Sequence, residues 1–222
     1  MCTSASRRSH DLNIGEYIFE SVDSFRYLGV RFDNFKDSEE AVMDRIQAAN
    51  RAYFANLKLF RSRLLSRTVK LRLYKTIIRP VLTFGCELWT LKENTIRQLQ
   101  VFERKMLRKI YGPLQLDGGE YRIRFNCELE ELIGGLNVVR FVKSQRIRWL
   151  GHVLRMPETR TLRKIFDTLP EGKRRRGRPR RRWLDAVEED LQVMGVSGYR
   201  TAARDRDLWR GICLDALAHT EL

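Results

Sequence analysis

The side chains most able to do chemistry here are arginines, and their chemistry is anion binding. The run Lys173-Arg174-Arg175-Arg176-Gly177-Arg178-Pro179-Arg180-Arg181-Arg182 puts eight cations in ten positions. At its centre, Gly177 and Pro179 favour a narrow, extended backbone. Arg176 and Arg178 could then enter an A·T-rich minor groove, where the potential is most negative. The same charges would hold RNA or any duplex through phosphate contacts and counterion release. A nuclear import signal and a solvated linker are the blander readings.

A second basic block contains Arg61, Arg63, Arg67, Lys70, Arg72, Lys75 and Arg79. Residues 61–112 hold 13 basic and only 3 acidic groups. Several of these cations fall opposite an apolar helical stripe. A helix lined this way is a rail for phosphates, because a guanidinium grips a phosphate with two parallel donors. The alternative is an ordinary solvent-facing helix surface. Tyr53, Phe54, Tyr74, Trp89, Trp149, Trp183 and Trp209 interleave with the charge. Bases stack on such rings, but most of these residues fall on apolar stripes, so core packing is expected. Catalytic constellations are missing: the sequence has no P-loop, no G-x-S-x-G, no H-E-x-x-H and no adjacent aspartate pair. Asp205-Arg206-Asp207 reads as a surface ion-pair cluster.

The 222 residues carry a net charge of +15 and 43% hydrophobic side chains. That suffices for a buried core and makes polyanions the expected partner. No apolar run reaches the ~18 residues of a membrane span, and the first ten residues do not resemble a secretory signal. Cys2, Cys86, Cys127 and Cys213 form no C-x-x-C pair and read as free thiols, with no zinc site.

Tyr17-Ile18-Phe19, a turn-like Ser21-Val22-Asp23-Ser24 and Phe25 to Phe32 predict a β-hairpin, which needs another surface to be stable. Helical signals dominate thereafter. Asp37-Ser38 opens a helix with Val42, Ile46, Ala49, Tyr53 and Leu57 on one face. Ser66 caps a second, with Val69, Leu73 and Ile77 on its stripe, which Pro80 should end or kink. Thr90 to Glu93 fits a capping box for a third, striped by Leu99, Phe102, Met106 and Ile110. Asn126 caps a short helix ending at Gly134-Gly135. A longer helix runs from about Asn137 to Met156. After the basic run, one helix begins at Trp183 and closes at Gly195, and a last one contains Ala202, Trp209, Ile212 and Leu217.

Phe25-Arg26-Tyr27-Leu28-Gly29 resembles the F-x-Y-L-G block that follows the palm in reverse transcriptases of non-LTR (LINE-type) retrotransposons. Leu73 to Leu91, Val101 to Pro113, Arg146 to Met156, Arg174 to Leu191 and Ala203 to Arg210 follow in the order of that family. The likeness is greatest to its RTE group. The resemblance implies that Tyr27, Leu28 and Gly29 shape a primer-grip hairpin and that the next helices form a thumb gripping template–primer backbone. The region from about residue 113 would be a nucleic-acid-binding C-terminal extension. The palm aspartates that hold two metal ions have no counterpart here, and neither do the fingers, the endonuclease or a cysteine–histidine knuckle.

The expected fold is therefore mainly α: a β-hairpin region (1–36), a thumb-like helical domain (37–112), a helical extension (113–170), an AT-hook-like linker (171–182) and a C-terminal helical pair (183–222). The expected function is a noncatalytic reverse-transcriptase fragment that binds RNA or DNA backbone. Two readings compete: a host-used DNA- or chromatin-binding module, and a helical partner for a polymerase core supplied in trans. No cofactor, metal or membrane partner is expected, and the location is nuclear or cytoplasmic rather than secreted.

Overall fold

The computed structural model describes residues 11–33, 39–134, 137–168, 182–219 and 222. It is mainly α-helical with an N-terminal β region. That region contains two hairpins rather than one. β1 (Leu12–Ile14) pairs with β2 (Tyr17–Phe19), and β3 (Ser24–Tyr27) pairs with β4 (Val30–Asp33). The expected pairing of 17–19 with 25–32 does not form, because Leu28 and Gly29 both take positive φ, 48° and 79°. Two consecutive residues of that kind make the tight turn whose twist suits adjacent strands. The chain folds back there, so the segment 20–23 joins two hairpins.

The second hairpin rests on α1 (Glu39–Ala55). Arg26 pairs with Asp44 and Arg31 with Glu40, each at 3.2 Å. The Arg45 guanidinium donates to the Gly29 carbonyl. Asp37 and Ser38, the expected opening of α1, lie outside the described residues.

α2 (Leu57–Arg61) leads to α3 (Arg67–Leu73), whose cap is the expected Ser66: its hydroxyl accepts from the Val69 N–H at 3.3 Å. Pro80 neither ends nor breaks this rod. A π-helical turn (Tyr74–Ile78) lies just before it, and helical backbone runs on through α4 (Arg79–Leu82); a widened turn of this kind makes room for a ring that would crowd the preceding turn.

α5 (Glu93–Tyr111) buries Leu99, Phe102, Met106 and Ile110 as expected. It starts at Glu93 with Lys92 at the cap, so Thr90 does not form the expected capping box. Trp89 and Leu91 are both buried, and alternate burial keeps the chain extended until Lys92.

A short hairpin, β5 (Leu114–Gln115) with β6 (Tyr121–Arg122), precedes α6 (Asn126–Leu132). Here Phe125, not Asn126, is the cap position; the Glu128 carboxylate accepts from its N–H at 2.8 Å. Gly134 follows the helix, and Gly135 lies outside the described residues. α7 (Val138–Leu154) has the expected Asn137 cap, which accepts from the Arg140 N–H at 2.8 Å.

α8 (Thr161–Asp167), α9 (Trp183–Val193), α10 (Tyr199–Ala202) and α11 (Arg206–Ala218) complete the chain. The expected single last helix is broken before Arg206. Asp205 accepts from the N–H groups of Asp207 and Leu208 at 2.9 and 3.1 Å. It is a helix cap, not part of an ion-pair cluster, because a short carboxylate before a helix satisfies otherwise orphaned donors.

Two buried clusters hold these elements. The first gathers α1, the rod, α5, α6 and the start of α7. The second gathers Ile147 and Leu150 of α7 with α9 and α11. α7 therefore contributes Val138, Val139 and Val142 to one and Ile147 and Leu150 to the other.

Buried charges reinforce both clusters. Glu103 accepts from the Tyr74 hydroxyl (2.8 Å), Arg79 (3.1 Å) and the Val138 N–H (2.7 Å). Asp190 pairs with Lys143 at 2.8 Å and with Arg146, 1% exposed, at 3.3 Å. In the second cluster Trp209 passes over Gly151: a Cβ there would lie 2.0 Å from the indole nitrogen. That nitrogen donates to the Ile147 carbonyl at 3.1 Å.

Candidate nucleic-acid interface

The basic block from Arg61 to Arg79 divides between surface and core. Arg61, Arg63, Arg67 and Arg72 are exposed, and Lys70 and Lys75 are half-buried. Arg79 is 8% exposed and ion-paired to Glu103, so it cannot belong to a surface rail. The π-turn gives the physical reason. On a regular helix Arg72, Lys75 and Arg79 share one face. A π-turn adds one residue to the ladder and rotates the residues beyond it by about 100°. Arg79 is thereby carried off that face and into the core, where its guanidinium lies over the Tyr74 and Phe141 rings. Lys75 borders a small cleft of about 280 Å³ shared with Arg79 and Phe141.

Two of the exposed members, Arg61 and Arg67, lie beside residues of a different element. Lys105 and Lys109 are exposed on α5, four residues apart, so one turn brings them together. The Lys109 ammonium sits 4.1 Å from the centre of the Tyr53 ring and 5.4 Å from that of Phe54. Partial burial lowers its pKa, and the charges of Lys105 and Arg61 lower it further. Like charges crowded in this way gain when an anion enters. Arg67 extends the field toward Tyr111, whose hydroxyl pKa is raised by burial and opposed by that arginine.

Phe54 is 60% exposed, while Tyr53, Tyr74, Trp89 and Trp209 are buried as expected. It stands edge-on to Tyr53 with ring centres 5.5 Å apart. An exposed ring bordered by cations can take a base on its face while phosphates meet the charges. Residue pattern alone does not single out Lys105, Lys109 or the exposure of Phe54. The one signal in the sequence is the i, i+4 lysine pair flanking the α5 stripe.

Tyr27, Leu28 and Gly29 occupy the tip of the second hairpin. Leu28 is 76% exposed, and Phe84 lies within 4.0 Å of where a Gly29 Cβ would be. The tip docks at Arg45. Phe54 lies nine residues on, about 14 Å along α1 and two and a half turns round it. The structure therefore does not bring the hairpin tip and the cationic cluster together on one face.

Arg182 is exposed at the cap of α9. Lys173, Arg174, Arg175, Arg176, Gly177, Arg178, Pro179, Arg180 and Arg181 lie outside the described residues. Among the described residues there is no cluster of three metal-ligating side chains, and no helix is long and apolar enough to cross a membrane.

No protein-family model matches the chain, and no solved structure matches it. The chain is similar to an uncharacterized transposon-derived protein of Caenorhabditis elegans, being 24% identical over 199 residues that span 87% of this chain and 71% of that protein.

Proposed function

We propose that this chain derives from a transposable element and binds nucleic acid as the thumb-like and C-terminal part of a non-LTR reverse transcriptase, without catalysing polymerisation itself. The transposon-derived relative supports the origin. The ordered sequence blocks from Phe25 to Arg210 support the finer assignment. The observation that carries the binding reading is Lys109 beside the exposed Phe54, with Arg61 and Lys105 in its field and Arg67 near Tyr111 at the end of the same helix.

Fluorescence anisotropy with an RNA–DNA hybrid and with A·T-rich and G·C-rich duplexes, across a salt series, tests it. Each phosphate neutralised on a duplex contributes about −0.9 to the slope of log affinity against log salt. The triple variant Arg61→Ala/Arg67→Ala/Lys105→Ala is expected to weaken binding at least tenfold and flatten the slope by roughly 3. Unchanged affinity and slope would remove this face from the interface. An A·T preference abolished by Arg176→Ala/Arg178→Ala would favour the chromatin-module reading instead. Nucleotide incorporation by the purified chain would overturn the noncatalytic assignment.

A further inference from the structure

A larger cleft lies on the other core, away from the α2–α3–α5 face. Its volume is about 1030 Å³, and α7, α8 and α11 line it with the loop between α7 and α8. α7 supplies Arg148 and His152, and its C-cap Arg155 follows three residues on, so the three share one face. α11 supplies Arg206 and Arg210, again one turn apart, and the loop adds Arg160. The lining contains five arginines and no carboxylate.

Arg155 is engaged, donating to the Ala203 carbonyl at 2.8 Å. Arg148, Arg160, Arg206 and Arg210 are exposed and make no ion pair among the described residues. The fields of Arg148 and Arg155 reach the cleft floor, where they oppose the rise that burial imposes on the Cys213 thiol pKa. Gly151 lets Trp209 lie against α7, so the two arginine-bearing helices come close.

We propose that this cleft is a second nucleic-acid site, one that holds a single-stranded phosphodiester backbone. Three features select that ligand. Every fixed cation is arginine, whose planar fork matches phosphate. The cleft is also at or beyond the upper end of the roughly 300–1,000 Å³ range typical of small-molecule pockets, which suits a polymer segment. Between the arginines lie apolar and flat surfaces, namely Met156, Leu162, Leu214 and the exposed His152 ring, which is 5.3 Å from Trp149. Unpaired bases can lie on such surfaces, whereas bases stacked inside a duplex cannot reach them. An acidic peptide would use the charge but not the flat surfaces.

The test compares the full chain with two triple variants, Arg148→Ala/Arg206→Ala/Arg210→Ala in the cleft and Arg61→Ala/Arg67→Ala/Lys105→Ala on the other face. The basic run is present in all three proteins, so its contribution cancels. The probes are a labelled 12-nucleotide oligouridine and a duplex of equal length. The cleft variant is expected to lose at least tenfold in oligouridine affinity and to flatten its salt slope by about 2, at roughly 0.7 per single-strand phosphate. Its duplex affinity is expected to stay within twofold.

Unchanged oligouridine binding, an equal loss on duplex, or full competition by polyglutamate of matched charge would each overturn the proposal. Loss of duplex binding in the second variant alone concerns the other face and leaves this comparison intact. Photocrosslinking of a 4-thiouridine oligomer to the unmutated chain gives an independent readout. Adducts are expected in α7 and α11; adducts confined to other segments would refute the site.

Discussion

Replacing Glu103 with glutamine changes one oxygen to nitrogen at the best-connected buried side chain of the first core. The carboxylate accepts from Tyr74 and Arg79 on one oxygen and from the Val138 N–H on the other. Glutamine has a single acceptor. If it faces Arg79, its NH₂ opposes the Val138 N–H; if it faces Val138, the NH₂ opposes a buried guanidinium. Either way a donor is stranded, and the buried Arg79–Glu103 ion pair is lost. Breaking a buried pair from one side costs about 3–5 kcal/mol. For a chain of this size that is a fall in Tm of roughly 6–20 °C.

Urea unfolding followed by tryptophan emission, with circular dichroism alongside, measures it. The companion variant Arg79→Met/Glu103→Gln removes both charges. It is expected to be more stable than Glu103→Gln alone despite carrying a second substitution, because no uncompensated charge remains. A loss below about 1 kcal/mol for the single variant would refute the reasoning, as would a double variant whose losses simply add.

Two more outcomes come from local geometry. Gly151→Ala would place a methyl 2.0 Å from the Trp209 ring, and overpacking of that kind costs about 1–3 kcal/mol or more; a lower urea midpoint is expected, and an unchanged midpoint would show that the indole can retreat freely. The Glu128 carboxyl pKa is lowered to about 2, chiefly by the hydrogen bond from Arg122 and then by the Phe125 N–H. A depressed carboxyl pKa adds stability that is complete above the unfolded value of about 4.3 and is lost as pH falls through the folded one. The carboxyl carbon of Glu128 is therefore expected to titrate near 2 by NMR, and a midpoint near 4 would refute the pairing.

Local chemistry decides which features are legible in the sequence. Ser66 and Asn137 cap their helices because a short polar side chain satisfies donors two or three residues away. The stripes of α1 and α5 reach the core because the 3.6-residue period alone places them. Arg79 cannot be placed this way. Its position depends on a π-turn whose phase shift has no signature in residue type. The hairpin pairing fails similarly: the segment 21–24 and the pair Leu28-Gly29 both offer turns, and only the structure shows that each hairpin closes on itself. The arginine cleft is out of reach because Arg148 and Arg210 belong to helices far apart in sequence, brought together by one indole crossing one glycine.

α7 also has a mechanical role that its place in two cores dictates. Because Val142 is sealed on one side and Ile147 on the other within five residues, this helix works like an axle shared by two wheels. Loss of α9 and α11 would bare half its length to water, and loosening the Glu103 cluster would release its N-terminal end. A load applied at the cleft, such as a strand pulled taut across Arg148 and Arg210, would therefore be transmitted along a single rigid rod to the far hydrophobic body.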